Sequence, residues 1–158
     1  MSLVTIVLVD DHKLIRQGIR SLLEAQQRYE VVGEANDGRE GFELIERVSP
    51  DIAIIDMMIP NLNGIEIARL VNQRGLRTKI LILTMCDTAT YAVRALQGGA
   101  LGYILKDSDF SEILHAIQNV LISKRYLSPE IAEEVLDLLL KAGAGKEEDA
   151  LNLLSPRE

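Results

Sequence analysis

The sequence has little that would cross-link it, carry it through a membrane or attach it to a polyanion. It holds one cysteine, Cys86. A single cysteine closes no internal disulfide and builds no cysteine-based zinc site, which fits a reducing, cytoplasmic compartment. No uncharged apolar run approaches the roughly 18 residues that a spanning helix needs, so no membrane partner is expected. No basic stretch precedes a long apolar one at the start, and no secretory signal is read there. Positive charge is in deficit: 17 Lys and Arg stand against 24 Asp and Glu, a net −7. So acidic a surface is a poor match for a nucleic-acid backbone, where Lys and Arg must replace counterions. Internal repeats and low-complexity tracts are also missing.

What remains is an ordinary globular composition. The chain has 158 residues, 47% of them apolar and 26% charged, enough for one core. Short apolar runs alternate with longer amphipathic ones. Val4 to Val9, Val31 to Ala35, Ile52 to Ile55, Ile80 to Leu83 and Leu101 to Leu105 are nearly continuous and rich in branched residues. Runs of that kind predict strands buried on both faces, as in a parallel sheet. Between them, helical spacing joins Leu14, Ile15, Gly18, Ile19, Leu22 and Leu23. It recurs at Phe42, Ile45 and Val48, at Ile65, Ala68 and Val71, at Ala92, Ala95 and Leu96, and at Ile113, Ile117 and Val120. Five βα units within about 124 residues predict an open, doubly wound five-stranded α/β sheet.

A further helix is expected after it. Ser128 reads as its N-cap, with Pro129 at the first helical position. Ile131, Ala132, Val135, Leu138 and Leu139 form its apolar stripe, widened by Leu136 and Leu140, and Gly143 is the expected stop. Val135 to Leu140 reads as a packing or dimer helix. Ala142 to Asp149 is small and charged, as in a linker. Ser155-Pro156-Arg157-Glu158 has the capping residue, proline and glutamate of a helix start. The pattern alone leaves open whether this opens a second domain or is a native tail.

In open α/β sheets, ligands bind outside the carboxyl ends of the strands. Asp10 and Asp11 follow the first predicted strand, Asp56 the third, Thr84 the fourth and Lys106 the fifth. Each alone is an ordinary polar strand end. Together they put three carboxylates, a hydroxyl and an ammonium on one edge. Clustered carboxylates need a cation, and hard oxygen donors suit Mg²⁺. Such a cation favours a phosphoryl group, which Lys106 and Thr84 could also bind, leaving one carboxylate as nucleophile. His12 reads as a helix cap or a surface residue, and His115 as surface or interface. Gly143-Ala144-Gly145-Lys146 is no phosphate-binding loop, because its first glycine is too close and Glu147 stands where Ser or Thr belongs. Gly98-Gly99 reads as turn chemistry.

Val9-Asp10-Asp11-His12, the run Asp56 to Gly64 (DMMIPNLNG), Thr84, and Gly102 to Asp107 (GYILKD) resemble the receiver domain of two-component response regulators. The variant is that of the LuxR/NarL-type subfamily, whose output is a helix-turn-helix domain. The resemblance covers roughly residues 4–124. It implies a flavodoxin-like sheet of strand order 2-1-3-4-5. It divides the chain into a receiver at 1–124, a linker helix and flexible linker at 125–154, and the start of a truncated output domain at 155–158. By position it implies that Asp56 is phosphorylated by a sensor histidine kinase or a small donor. Mg²⁺ would be held by Asp11 directly, by Asp10 through water, by Asp56 and by the Met58 carbonyl. Thr84 and Lys106 would bind phosphoryl oxygens, and Tyr103 would swing inward with Thr84 as a switch. The surface change would control transcription through the output domain, with homodimerisation on activation.

Some residues depart from the common receiver pattern. Apolar Met58, two residues after Asp56, predicts slow hydrolysis of an acyl phosphate, as does the absence there of the second acid that a fast aspartyl-phosphate hydrolase needs. Met85 is bulkier than the small residue usual after the threonine and is expected to obstruct an inward Tyr103. That keeps a phosphorylation-independent binding module open as an alternative. Asp107 stands where many receivers have proline.

Overall fold

The computed structural model describes residues 2–145, the last four of them by backbone alone. The elements alternate: β1 (Val4–Val9), α1 (Lys13–Glu24), β2 (Tyr29–Ala35), α2 (Gly38–Val48), β3 (Ile52–Ile55), α3 (Gly64–Gln73), β4 (Lys79–Thr84), α4 (Ala89–Gln97), β5 (Gly102–Leu105) and α5 (Phe110–Leu121). A two-residue β6 (Tyr126–Leu127) and α6 (Pro129–Gly145) follow. The sheet is parallel throughout, in the order β2-β1-β3-β4-β5-β6. The class and the order of the first five strands are those expected. The strand count is corrected from five to six, since β6 extends the edge beside β5.

Helices cover both faces of the sheet, which explains the unbroken apolar strands. Alternate residues feed two cores. Val7, Val9, Ala53, Ile55, Ile80 and Ile82 meet α2, α3 and α4, while Ile6, Leu8, Ile52, Ile54, Leu81 and Leu83 meet α1 and α5. Helix α6 closes the first of these cores: Ile131 and Val135 are buried, and α6 packs against α4.

Two helical expectations are corrected. In α1 only Ile19 and Leu23 are buried, whereas Leu14 and Leu22 lie exposed on its outer side. The helix touches the sheet along a narrower arc than its apolar residues span. α6 passes through Gly143 to Gly145. A glycine inside a helix costs only about 1 kcal/mol, and it ends a helix only where the chain turns left-handed. The linker expected from Ala142 is helical as far as Gly145; the rest of it and the helix start expected at Ser155 lie outside the described residues.

Register sets the site. Val9 pairs with Ile55, and Ile55 with Ile82. Asp10 and Asp56 are therefore the next residues on adjacent strands, and Asp56 N–H still donates to the Val9 carbonyl at 2.9 Å. The loop after Asp56 is held by an asparagine cap: Asn63 and Glu66 form a reciprocal capping box at the start of α3. Gly64 presses against that loop. A Cβ there would come within 3.0 Å of Met57 Cα and 2.9 Å of Ile82 Cδ1.

Candidate functional site

The carboxyl edge of β1, β3, β4 and β5 brings the expected side chains together. Asp10 and Asp56 are buried at 5% and 3% exposure, yet both are ionisable. Burial of two adjacent carboxylates requires a compensating cation. Lys106, whose side chain is only 2% exposed, supplies it: Nζ lies 2.8 Å from Asp10 Oδ2 and 3.0 Å from Asp56 Oδ2. The other Asp56 oxygen accepts a hydrogen bond from Met58 N–H at 3.2 Å. Asp11 is more open and stands at the mouth. Met58 and Met85 point outward, at 67% and 68% exposure. At Met58, therefore, the chain offers backbone rather than side chain to the site.

Thr84 is fully buried, and its Oγ1 accepts from Cys86 N–H at 3.1 Å. Its own hydroxyl hydrogen remains available to donate. Tyr103 is likewise fully buried, and its hydroxyl donates to the Cys86 carbonyl at 2.9 Å. Burial pushes the Tyr103 phenol far above its usual range, with Cys86 adding to the shift. The obstruction expected from Met85 is absent: Met85 faces solvent and Tyr103 lies inward. Thr84 and Tyr103 are not in direct hydrogen-bond contact. The Cys86 backbone joins them, its N–H on one side and its carbonyl on the other.

Sequence reasoning missed three features here. His12 occupies the N-cap of α1 but makes no side-chain cap bond. Its Nδ1 instead lies 3.0 Å from Asp10 Oδ1, 3.5 Å from Asp11 Oδ1, 3.6 Å from Asp56 Oδ2 and 2.9 Å from Lys106 Nζ. Its position directly after two aspartates was the available signal. Arg16 braces the same loop from behind, with Nη1 donating to the Asp10 carbonyl at 2.5 Å and Nε to Glu34 at 2.7 Å. Ser128 stands at the N-cap of α6, its carbonyl accepting from Ile131 and Ala132 N–H, and its Oγ has a further task that the sequence did not show. It accepts from Leu105 N–H at 2.9 Å, tying the start of α6 to the residue before Lys106.

The arrangement can hold a divalent cation. Asp10, Asp11, His12 and Asp56 each place a ligand atom within 4.8 Å of the others. The Lys106 ammonium, already gripped by this group, shows that it accommodates positive charge. The donors are mainly hard carboxylate oxygens, which suits Mg²⁺.

Comparison with known proteins agrees with the geometry. A family profile described as "Response regulator receiver domain" matches residues 6–118. The nitrate/nitrite response regulator protein NarL of Escherichia coli K12 is 34% identical over 154 residues, 98% of this chain and 71% of that protein. The transcriptional regulatory protein DegU of Brevibacillus brevis is 33% identical over 133 residues, and the match covers 84% of this chain but only 56% of DegU. The chain thus spans little more than half of DegU. Among solved structures, a two-component response regulator of the LuxR family from Aurantimonas sp. SI85-9A1 superposes with a TM-score of 0.82 at 39% identity, covering 88% of this chain and 99% of that one. With its fold, its acidic pocket and its profile in agreement, the chain belongs to the response regulator receiver family.

Proposed function

We propose that Asp56 is the phosphoryl acceptor of a two-component signalling pathway, loaded in a Mg²⁺-dependent step. The observation that carries the reading is the Lys106 ammonium lodged between Asp10 and Asp56 at one sheet edge. Such a lysine neutralises the paired carboxylates and is placed to take a phosphoryl oxygen.

A carboxylate oxygen of Asp56 attacks phosphorus. The bond from phosphorus to the donor, a histidine nitrogen of a sensor kinase or an oxygen of a small acyl phosphate, breaks and its electron pair leaves with the donor. The product is an acyl phosphate on Asp56. Mg²⁺, held by Asp11, Asp56 and the Met58 carbonyl and through water by Asp10, would neutralise phosphoryl charge. Lys106 transfers its contact from the Asp56 carboxylate to one phosphoryl oxygen, and the Thr84 hydroxyl donates to another. Movement of Thr84 pulls on Cys86 N–H and so on the Tyr103 hydroxyl, a coupling that biases a two-state surface. That surface controls homodimerisation and a transcriptional output domain of the LuxR type, which contacts DNA in place of this acidic chain. The setting that fits this family is the cytoplasm. Among the described residues no helix is long and apolar enough to cross a membrane. Self-dephosphorylation is slow, because Met58 offers no acid or base.

Intact mass after incubation with acetyl phosphate and Mg²⁺ tests the reading. One phosphoryl adduct is expected in the wild type, none without Mg²⁺ and none in Asp56→Ala. Absence of an adduct in folded wild type would leave a phosphorylation-independent module.

A further inference from the structure

We infer, on the reading of Asp56 as the phosphoryl acceptor of a Mg²⁺-dependent step, that Arg16 is a positioning residue for that step. It fixes the peptide between Asp10 and Asp11, and so the angle at which the two carboxylates face one cation. Past the end of β1 the chain makes one more bond to β2, from Asp10 N–H to the Ala35 carbonyl at 3.0 Å. Asp11 and His12 then cross to α1 outside any strand or helix. In that crossing the Asp10 carbonyl accepts from Arg16 Nη1 at 2.5 Å. This oxygen belongs to the planar unit that joins the two aspartates. Holding it restricts ψ of Asp10 and φ of Asp11, the rotations that would turn one carboxylate away from the other.

The guanidinium is itself held. Its Nε donates to Glu34 Oε1 at 2.7 Å, and Arg20 binds the other Glu34 oxygen. Glu34 lies on β2, the strand that also takes Asp10 N–H. The peptide groups on both sides of Asp10 are therefore tied to one strand, the first directly and the second through Arg16. The planar fork of the guanidinium sets its two bonds at a fixed angle. The Arg16 side chain is only 14% exposed. With Asp10 and Asp56 it lines a cavity of about 10 Å³ over Leu8, Ile54 and Leu83, room for about one water. Its charge is thus felt by the acids across apolar walls, with little screening. Charge alone would make Arg16 a hindrance, because a fixed cation behind the carboxylates repels an incoming one. What favours the metal is the geometry that Arg16 imposes, and groups that orient ligands from behind account for about tenfold or more in metal affinity. The two effects have opposite signs, so removing the side chain tells them apart.

Calorimetric titration of Mg²⁺ into the chain reads the effect without turnover, and the rate of adduct formation with acetyl phosphate at saturating Mg²⁺ is measured beside it. Arg16→Gln is expected to raise the Mg²⁺ dissociation constant about tenfold. Once Mg²⁺ saturates, the adduct should still form on Asp56, at a rate within about threefold of wild type. Glu34→Gln leaves the guanidinium in place but unanchored. It should give a smaller shift in the same direction, and it decides the matter if Arg16→Gln does not fold. Arg77→Gln breaks the bonds to Ser49 and Asp51 at the other end of the sheet and should leave Mg²⁺ affinity unchanged. Mg²⁺ binding as tight as wild type, or tighter, in either folded variant would overturn the inference and leave Asp56 standing as acceptor. So would an equal loss in Arg77→Gln, which would mark the effect as general destabilisation. A wild type that neither binds Mg²⁺ nor forms an adduct would remove both the inference and the reading beneath it.

Discussion

At the residue scale, the backbone of Cys86 does more than its side chain. Its N–H serves Thr84 and its carbonyl serves Tyr103. Tyr103→Phe keeps the ring packed and strands that carbonyl, which should lower unfolding free energy by about 1–2 kcal/mol in denaturant titrations. The same variant should weaken any dimerisation that phosphorylation induces, while leaving the yield of Asp56 adduct near wild type. Gly64 is the second sensitive position. In Gly64→Ala the new methyl meets Met57 Cα, backbone that cannot yield cheaply, and the expected loss is about 1–3 kcal/mol by the same measurement. The strand-end residues were legible because chemistry and topology point to one edge. His12 and Cys86 were not: a histidine after two aspartates has an ordinary role as a cap, and a main-chain bridge leaves no trace in side-chain identity.

At the scale of elements, the joint between β5, β6 and α6 is built on Ser128. Its hydroxyl takes the Leu105 N–H, its N–H donates to the Tyr103 carbonyl, and its side chain has no exposure. Ser128→Ala leaves the Leu105 donor buried and unpaired, so unfolding free energy should drop by about 1–3 kcal/mol. A serine before a proline signalled the cap position that Ser128 does hold, but not the bond from its hydroxyl to Leu105. β6 was invisible for a related reason, since two residues carry no periodicity. On the opposite side of the sheet, Glu34 ties β2 to α1 through Arg16 and Arg20. Burial raises its carboxyl, but the hydrogen bonds from Arg20 and Arg16 outweigh that and hold it below the usual 4.5. The unfolded chain therefore binds this proton more readily. The pair's contribution is full above the unfolded value and is lost as pH falls through the lower folded one. Glu34→Gln should accordingly differ from wild type in unfolding free energy at neutral pH, and the difference should shrink as acid is added below about pH 4.5.

At the scale of the whole molecule, the alternation of buried strands and amphipathic helices made the architecture legible, because strands covered on both faces have no polar side to disguise them. The helical contacts were less so. The apolar arc of α1 is wider than the sheet needs, and periodicity cannot tell a core-facing leucine from an outward one such as Leu14. The register that carries Val9, Ile55 and Ile82 level across the sheet turns three scattered aspartates and a lysine into one site. The account stands or falls on Asp56 as the residue that takes the phosphoryl group. Borohydride reduces an acyl phosphate and leaves a free carboxylate untouched, so reduction after acetyl phosphate and Mg²⁺, followed by peptide mass mapping, locates the acceptor. The account predicts conversion of residue 56 alone to homoserine, only when Mg²⁺ was present. Conversion at Asp10 or Asp11 instead, or no conversion in folded protein, would contradict it.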